Sequence, residues 1–282
     1  MVTDGEDRSF QEMDLGQVEM VTDMLKISVV TICYNEKKEI ARTLESVAGQ
    51  TYRRIEHIVK DGGSTDGTVD IIRQYAHSHL NVIMESSQDG GLYKGMNIGL
   101  SKCTGDYVIF CNAGDRFASN DVIEKMVTKA RVDGQPDLVY GDCASETNGE
   151  LMVRTAHGPR FIKIGMPAAH EAMLYKLSVV RKLDLEYDTS YRIGADYKFT
   201  YQFVKAAKSF TYVPMPVVVF NMGGVSTAHQ WRGLMECNHV RKEVGGLSLS
   251  TRVAIILMQS GVLAFSTFFA PLYRLIRLRK SQ

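Results

Sequence analysis

Apolar strand segments alternate with helix-like segments through residues 26–142, and this alternation constrains the fold more than any other feature of the chain. The first segment, Ile27–Cys33 (ISVVTIC), is almost entirely apolar, which is typical of a strand buried on both faces of a sheet. Apolar residues at 40, 44 and 47 then recur at helical spacing. Further strands are predicted at 55–59, 82–84, 107–111 and 138–140. Such alternation predicts an α/β sheet with mostly parallel strands and right-handed crossovers.

The pattern after residue 141 is less regular and predicts an α+β half packed on the first sheet. Short strands are expected at 151–154, 172–175 and 217–220, with a helix over 196–207. We therefore divide the chain into a flexible acidic extension (1–25), a central domain (26–225, with halves 26–142 and 143–225) and a C-terminal tail (226–282).

The extension carries seven acids and one base, with neither the basic start nor the apolar run of a signal peptide. We hypothesise that translation starts at Met24, just before the first strand. Lys plus Arg (33) nearly cancels Asp plus Glu (32), which argues against a nucleic-acid binder. The five cysteines include no C-x-x-C pair, so a disulfide scaffold and a zinc ribbon are both disfavoured, and reduced thiols in the cytosol are expected.

Polar, glycine-rich loops follow three of the predicted strands. They are Tyr34-Asn35-Glu36, the stretch KDGGSTDGT at 60–68, and Asn112-Ala113-Gly114-Asp115. Each loop alone is explained by a turn and a helix cap. Because the carboxyl ends of parallel strands meet at one sheet edge, where ligands of α/β proteins bind, we expect the three loops to converge on one site.

The ordered set VVTICYNE, DGGSTDGT and DGGLYKGMNIGLSKCTGDYVIFCNAGD resembles the GT-A glycosyltransferases of family 2 over roughly residues 26–225. Within that family it is most similar to bacterial enzymes that build exopolysaccharide, O-antigen or glycolipid glycans. The resemblance implies a GT-A (Rossmann-like), mostly parallel sheet flanked by helices. It also implies an inverting hexosyltransferase that moves a sugar from a nucleotide-diphosphate sugar, with UDP favoured over GDP, to a saccharide or polyprenyl-linked acceptor.

The family's site residues carry over onto the matching positions of this sequence. The resemblance implies that the donor is bound by Thr31, Tyr34, Glu36, Asp61, Asp89, Gly90, Asn97 and Asn112. It implies Asp115 as the ligand of a divalent metal (Mn²⁺ or Mg²⁺), Asp196 as the catalytic base, and His170 and Glu171 beside the acceptor. Gly223–Ser226 resembles a loop that covers the donor diphosphate.

The chemistry of sugar transfer needs these residue types. A hard cation with oxygen ligands neutralises the leaving diphosphate, and a carboxylate removes the proton of the attacking hydroxyl. Three departures stand out: Asn112 and Gly114 replace acids of the metal motif, Lys94 stands where relatives often have an acid, and Ala195 replaces a second acid before the base. His229 is a candidate additional ligand.

Other functions fit the motifs less well or remain open. A nucleotidyltransferase or an NAD oxidoreductase requires a glycine-rich loop directly after the first strand, where Tyr34-Asn35-Glu36 stands. The depleted metal motif leaves a catalytically silent scaffold at the membrane as the non-enzyme alternative. For Asp196 and His170, helix capping and a structural hydrogen bond are the competing interpretations.

The tail contains an uncharged run, Val253–Tyr273, of 21 residues, which is long enough to span a bilayer. Arg274, Arg277, Arg279 and Lys280 follow it. Sugar nucleotides are cytosolic, so a spanning helix would place these cations outside, against the positive-inside tendency. We therefore predict membrane-associated C-terminal helices and a protein peripheral on the inner face of the cytoplasmic membrane. The alternative is a buried helix that packs on the domain or on a second subunit.

Overall fold

The computed structural model describes residues 24–147, 150–220, 230–268 and 279–280. Three of the predicted features lie outside the described residues: the first 23 residues of the extension, the stretch 223–226 and His229. The strands are β1 (Ile27–Cys33), β2 (Ile55–Asp61), β3 (Val82–Ser86), β4 (Tyr107–Phe110), β5 (Arg116–Phe117), β6 (Leu138–Thr147), β7 (Glu150–Arg154), β8 (Met173–Lys176), β9 (Phe210–Phe220) and β10 (Arg279–Lys280).

The helices are α1 (Ile40–Ala48), α2 (Thr68–Ser78), α3 (Leu92–Ser101), α4 (Val122–Val132), α5 (Leu177–Lys182), α6 (Ala195–Ala206), α7 (Gln230–Glu243) and α8 (Leu249–Phe268). Two 3₁₀ turns occupy Pro159–Lys163 and His170–Ala172. The predicted alternation of strands and helices in the first half is confirmed, and the predicted helix at 196–207 corresponds to α6.

The strands form one sheet in the order β10-β7-β6-β8-β4-β1-β2-β3. Strands β3, β2, β1 and β4 are parallel, and β8 joins β4 antiparallel. The order in which strands are added to the sheet reverses at β1: β2 and β3 lie on one side of it, and β4 lies on the other. The carboxyl edge at such a switch point is where α/β proteins bind ligands.

Alternate residues of the strands face two separate cores. Val29 of β1 belongs to a buried cluster that includes Met126 of α4, whereas Val30 packs in a second cluster with Met96 of α3 and Phe199 of α6. Because helices cover both faces, every residue of β1 and β2 is buried, which explains the nearly continuous apolar run of β1 in the sequence.

The second half departs from the prediction mainly in strand length. β6 continues seven residues past Tyr140, with register shifts between Gly141 and Cys143, and pairs in parallel with β9. β9 includes Pro214 and Pro216, residues that normally argue against a strand. Pro216 lies opposite Asp142 at the register shift, where the ladder is interrupted and no backbone donor is needed.

Part of the tail packs on the central domain. Val240 of α7 shares a small apolar core with Tyr197 of α6. The buried guanidinium of Arg241 donates to the carbonyl of Ile164 (2.6 Å) and to Oε1 of Gln259 on α8 (2.9 Å). In the part of the chain that the structure describes, no helix is both long and apolar enough to cross a bilayer. The predicted division at residues 225 and 226 stays a prediction.

Candidate active site

The loops that follow β1 and β2 are joined by hydrogen bonds at the carboxyl edge. The N–H of Asn35 donates to Oγ of Ser64 (2.8 Å), and the N–H of Thr65 donates to Oδ1 of Asn35 (2.9 Å). Asn35 has a φ of 54°, which asparagine tolerates better than most residues. Tyr34 is 61% exposed, and its ring lies against Gly62. An open aromatic surface is therefore present at this edge.

Asp61, the last residue of β2, organises the second loop. Its Oδ2 accepts hydrogen bonds from the N–H groups of Gly63 (2.9 Å) and Ser64 (3.0 Å) and from the Ser86 hydroxyl (2.7 Å). Burial alone raises the pKa of Asp61, but these hydrogen bonds outweigh it and hold the pKa below its ordinary value. Asp61 is therefore ionised, and its carboxylate determines the shape of the loop from within.

A buried lysine connects this loop to the next one. Lys60 Nζ donates to the carbonyls of Asp61 (2.6 Å) and Ser87 (2.6 Å) and lies 3.5 Å from Oδ2 of Asp89. The side chain of Lys60 is 0% exposed, and that of Asp89 is 8% exposed. A buried ion pair is stable only when its remaining hydrogen-bonding groups are satisfied. Here the two carbonyls accept the other hydrogen bonds of the Lys60 ammonium.

The Asp89 carboxylate occupies a space that a glycine leaves open. A Cβ atom at Gly95 of α3 would lie 2.8 Å from Asp89 Oδ2, closer than real contacts allow. Oδ1 of Asp89 accepts a hydrogen bond from the N–H of Gly91 (2.9 Å). Lys94, which the sequence places near this acid, is exposed and extends along Gly90. Asp89 therefore shapes the Gly90-Gly91 turn, and the Lys94 side chain lies beside that turn.

The third loop, which follows β4, is held by α1. The buried hydroxyl of Thr43 accepts a hydrogen bond from the N–H of Gly114 (3.1 Å) and donates to the carbonyl of Asp115 (2.7 Å). Gly114 has a φ of 96°, a conformation that favours glycine. The N–H of Asp115 closes the turn on the carbonyl of Asn112 (3.0 Å). The position of Asp115 therefore depends on a side chain 72 residues earlier.

Three acids from distant parts of the chain share one environment: Asp115, Glu171 and Asp196. Burial raises the pKa of Glu171 to about 8, with further contributions from Asp115 and, more weakly, from Asp196. Burial also raises the pKa of Asp196 to about 6. Because these values lie on either side of neutral pH, Glu171 is largely protonated at pH 7 and Asp196 is largely ionised.

The oxygen atoms beside this group fit a divalent cation. Oδ1 of Asn112 is buried and has no hydrogen-bond partner among the described residues, an arrangement that is costly unless a ligand satisfies it. The amide of Asn112 donates to Oε1 of Glu171 (3.2 Å), and Asp115 adds a second carboxylate. Mg²⁺ and Mn²⁺ prefer such oxygen ligands. Within the described ranges, no three His, Cys, Asp or Glu side chains are placed so that they could bind one metal ion together, so further ligands would come from water or a bound anion.

His170 and Asn97 make their hydrogen bonds inside the protein. The ring of His170 is buried, with Nε2 2.9 Å from the Tyr187 hydroxyl and Nδ1 3.2 Å from the Tyr175 hydroxyl. Burial lowers the pKa of His170 to about 3, so the imidazole is neutral. Asn97 of α3 donates to the carbonyl of Tyr187 (2.9 Å) and accepts from its N–H (2.7 Å). Both side chains therefore hold the segment that leads to α6.

The structure brings the predicted site residues to one edge of the sheet, with different exposure. Thr31 is 0% exposed; it donates to the carbonyl of Cys111 (2.7 Å) and lies 2.9 Å from Nε2 of His57. Thr31 and Asp61 thus face the interior and support the loops. The predicted residues that are exposed or half-buried at this edge, apart from Asn97, are Tyr34, Glu36, Asp89, Gly90, Asn112, Asp115, Glu171 and Asp196.

Sequence reasoning missed several residues that build the site. Lys60 could have been found from the sequence, because a charged residue at the end of a buried strand is rare unless it has a buried partner. Thr43 left no signal, since it looks like an ordinary residue of an amphipathic helix. Tyr187 left none either; its ring stacks on Phe199 at 4.5 Å between centroids, and neither residue belongs to a recognisable motif.

Similarity to known proteins agrees with this geometry. A family model described as "Glycosyl transferase family 2" matches residues 28–173, just over half of the chain. An uncharacterized glycosyltransferase of Mycobacterium tuberculosis is 33% identical over 186 residues, covering 64% of this chain and 69% of that protein. A PGL/p-HBAD biosynthesis glycosyltransferase of Mycobacterium bovis is 26% identical over 243 residues, covering 85% of this chain and 91% of its own length.

Two solved structures share the fold at 18% sequence identity. TarS from S. aureus (residues 1–349), solved in complex with UDP-GlcNAc, superposes with a TM-score of 0.66 over 82% of this chain and 70% of that chain. A mannosyltransferase from Pyrobaculum calidifontis, in complex with GDP-Man and Mn²⁺, gives 0.62 over 87% and 76%. The extent of the family match and the identity to the mycobacterial relative together show that this chain, with its GT-A fold, belongs to glycosyltransferase family 2.

Proposed function

We propose that the protein is an inverting glycosyltransferase that transfers a hexose from a UDP-sugar to a saccharide or polyprenyl-linked acceptor of a bacterial surface glycan. One observation carries the proposal: Asp115, Glu171 and Asp196 share one environment at the sheet edge where the three polar loops meet, and burial raises the pKa values of Glu171 and Asp196 to different extents. Paired acids with separated pKa values are typical of sites that move a proton. The glycolipid-related name of the M. bovis relative supports the acceptor class.

The donor would bind across the crevice between the first and third loops. The exposed ring of Tyr34 offers a surface on which the nucleobase stacks, and half-buried Glu36 lies beside it. Asp61 and Thr31 shape these loops from inside. The Gly90-Gly91 turn lets the backbone approach the donor closely, and exposed Lys94 is suited to a phosphate oxygen.

Asp115, the free oxygen of Asn112 and Glu171 are the residues that would hold Mn²⁺ or Mg²⁺. A divalent cation held by these residues would supply positive charge beside the departing diphosphate. Glu171 replaces, from another part of the chain, the carboxylate that position 112 does not provide. The raised pKa of Glu171 limits the negative charge that this group carries when no cation is bound.

Asp196 is proposed as the general base. Its Oδ1 accepts the N–H of Tyr197 (2.7 Å), which orients the carboxylate in the first turn of α6. As the acceptor oxygen forms a bond to the anomeric carbon, the bond from that carbon to the phosphate oxygen breaks, and the nucleoside diphosphate leaves with the electron pair. The hydroxyl proton passes to Asp196. In-line attack from the opposite face inverts the anomeric centre, and such proton removal contributes about 10²–10⁴-fold in rate.

Thermal stabilisation by nucleotides tests the donor site. UDP, GDP and CMP are added to the purified chain with and without Mn²⁺, to the wild type, Asp115→Ala and the control Asp70→Ala, an exposed residue of α2. A ligand at about 100 times its Kd stabilises by about 2.7 kcal/mol. We expect UDP to stabilise only with Mn²⁺, and only when Asp115 is present. Stabilisation by GDP instead would change the donor class, and no stabilisation by any nucleotide would favour the silent scaffold.

We also propose that α8 attaches the enzyme to the cytoplasmic membrane surface. Apolar side chains stay exposed along this helix: Leu249 (69%), Val253 (45%), Leu257 (68%), Met258 (48%) and Val262 (41%). The sequence after α8 supplies Arg274 and Arg277, and each cation near anionic lipid adds about 1 kcal/mol. An apolar helix followed by cations is the composition of an interfacial anchor.

Sedimentation with vesicles of phosphatidylethanolamine and phosphatidylglycerol tests the anchor. The double variant Leu257→Glu, Met258→Glu should stay in the supernatant. The control Leu80→Glu, Val132→Glu introduces the same charge at exposed apolar positions far along the chain and should sediment like the wild type. Equal sedimentation of both variants would contradict the proposal.

A further inference from the structure

A carboxylate from α7 lies at the N-terminus of α6, the helix that carries Asp196. Oε2 of Glu236 accepts hydrogen bonds from the N–H groups of Ile193 (2.8 Å) and Gly194 (2.9 Å), and Oε1 accepts from the N–H of Arg192 (3.3 Å). Glu236 lies 42 residues beyond Gly194 in the chain. The backbone that leads into α6 is therefore held by a residue from outside the region that matches the family model.

The turn has no means of satisfying these amides itself. Residues 193–195 are Ile-Gly-Ala, and Gly194 at the N-cap position has no side chain to accept a hydrogen bond. The first N–H groups of a helix need an acceptor, and a negative charge there is favoured by the helix dipole. Gly194 also makes room, because a Cβ atom at that position would lie 3.0 Å from Cβ of Glu236.

Glu236 is itself oriented and charged. Arg232, one turn earlier on α7, lies 2.8 Å from Oε1, and the Glu236 side chain is 14% exposed. Burial alone raises the pKa of Glu236, but the hydrogen bonds from Arg232 and from the three amides lower it below its ordinary value. The opposite side of the turn is held by the Tyr93 hydroxyl, which donates to the carbonyl of Ile193. The backbone before Asp196 is thus fixed from two sides.

We propose that Glu236 is a positioning residue for the catalytic base: by binding the 192–194 amides it sets the direction in which Asp196 faces the acceptor. The inference rests on the proposed role of Asp196. It extends the catalytic unit to α7, beyond the residue at which the sequence pattern placed the end of the central domain.

The charge of Glu236 also acts on Asp196 directly. Burial is the main cause of the raised pKa of Asp196, and repulsion from Glu236 adds to it. The other titratable groups that interact with Asp196 are Tyr93, Glu171, Tyr175, Tyr187 and Cys237. Glu236 is ionised at neutral pH, and its negative charge repels the carboxylate of Asp196. Removal of that charge should therefore lower the pKa of Asp196.

The test compares Glu236→Gln with the matched control Glu243→Gln. Glu243 is a carboxylate two turns later on α7 that pairs with Lys198 (2.6 Å), so both variants remove one negative charge from one helix. Hydrogen exchange should show at least about tenfold faster exchange of the Ile193 and Gly194 amides in Glu236→Gln only. Titration of ¹³C-labelled aspartate carboxyls, assigned with Asp196→Asn, should show a lower pKa of Asp196 in Glu236→Gln only.

Turnover separates positioning from mere folding. With UDP-GlcNAc as the probe donor and release of UDP as the readout, Glu236→Gln should lower kcat by about 10²-fold, the effect of a displaced catalytic group, with the KM for the donor unchanged. Arg232→Gln, which removes only the ion pair that orients Glu236, is the milder second variant if Glu236→Gln does not fold.

Two results would overturn the inference. Unchanged exchange at 193 and 194 would show that Glu236 does not hold the turn. Faster exchange with an unchanged Asp196 pKa would reduce Glu236 to a structural residue. A wild type that releases no UDP from UDP-GlcNAc would instead count against the proposed donor, and the exchange and titration measurements would still decide the role of Glu236.

Discussion

Replacement of Asp196 by asparagine should abolish sugar transfer and at the same time stabilise the protein. Asparagine keeps the acceptor oxygen for the Tyr197 N–H, so the start of α6 is preserved. The change removes only the negative charge, which burial disfavours. At an exposed helix N-terminus the same substitution has the opposite effect, because loss of the negative charge costs about 0.3–1 kcal/mol.

The size of the effect follows from the pKa. Burial raises the pKa of Asp196 from 3.8 to about 6, which corresponds to about 3 kcal/mol at about 1.36 kcal/mol per pKa unit. Because Asp196 is half-buried, solvent reduces this to about 1–3 kcal/mol. The favourable interaction of the charge with the helix dipole is smaller, about 0.3–1 kcal/mol. Burial therefore decides the sign.

The direction of the pKa shift also determines the pH range in which the stability of the wild type changes. The folded protein binds the Asp196 proton more tightly than the unfolded chain does, so the wild type loses stability as pH rises from about 4 to about 6. The asparagine variant does not titrate there. The two proteins should have equal stability near pH 4, and the variant should be more stable above pH 6.

Melting temperatures measured between about pH 4 and pH 8 test this prediction. One kcal/mol corresponds to about 2–4 °C in a chain of this size, so the variant should melt about 2–12 °C higher at neutral pH. Asp188→Asn is the control, because the hydrogen bond from Lys198 lowers the pKa of Asp188 and its loss should destabilise. A melting temperature of Asp196→Asn at or below that of the wild type at pH 7.5 would refute the reasoning.

Three further perturbations address the frame of the site. Thr31→Val removes two buried hydrogen bonds and should cost about 1–3 kcal/mol in urea unfolding, while the calorimetric affinity for UDP stays at the wild-type value. Burial alone raises the pKa of Glu56, but its hydrogen bonds lower the pKa to about 2. Glu56→Gln should therefore lower the free energy of unfolding by about 3 kcal/mol at pH 7. This difference from the wild type, followed by circular dichroism, should disappear as pH falls from about 4.5 to about 2. Gly105→Ala places a Cβ atom 2.6 Å from the carbonyl oxygen of Lys26 and should lower the unfolding free energy by about 1–3 kcal/mol. The control is Gly261→Ala in α8, where nothing lies within 4 Å of the added Cβ atom.

The first half of the fold could be read from the sequence because its signals are local. The apolar run of β1 and the helical spacing of α1 each depend on residues a few positions apart. The second half could not. β9 contains two prolines, and only its pairing with the irregular stretch of β6 around Asp142 makes a strand possible there.

The same distinction holds for the site. The sequence alone determined that three polar loops follow parallel strands, and the direction of those strands brings the loops to one edge. Asp115 and Asp196 were predicted as site residues from the motifs that contain them. The sequence did not distinguish Thr31, which faces the core, from Tyr34, which faces solvent, although both lie in one motif.

Only the tertiary structure decided which groups act on one another. Glu171 interacts with Asp115, which lies 56 positions earlier in the chain, and Lys60 pairs with Asp89. Glu236 accepts the N–H of Gly194 at the start of α6, 42 positions before it. Motifs and periodicities report the conformation of neighbouring residues. Burial and Coulomb interaction depend on distance in space, so the protonation and orientation of the candidate acids are set by the folded chain.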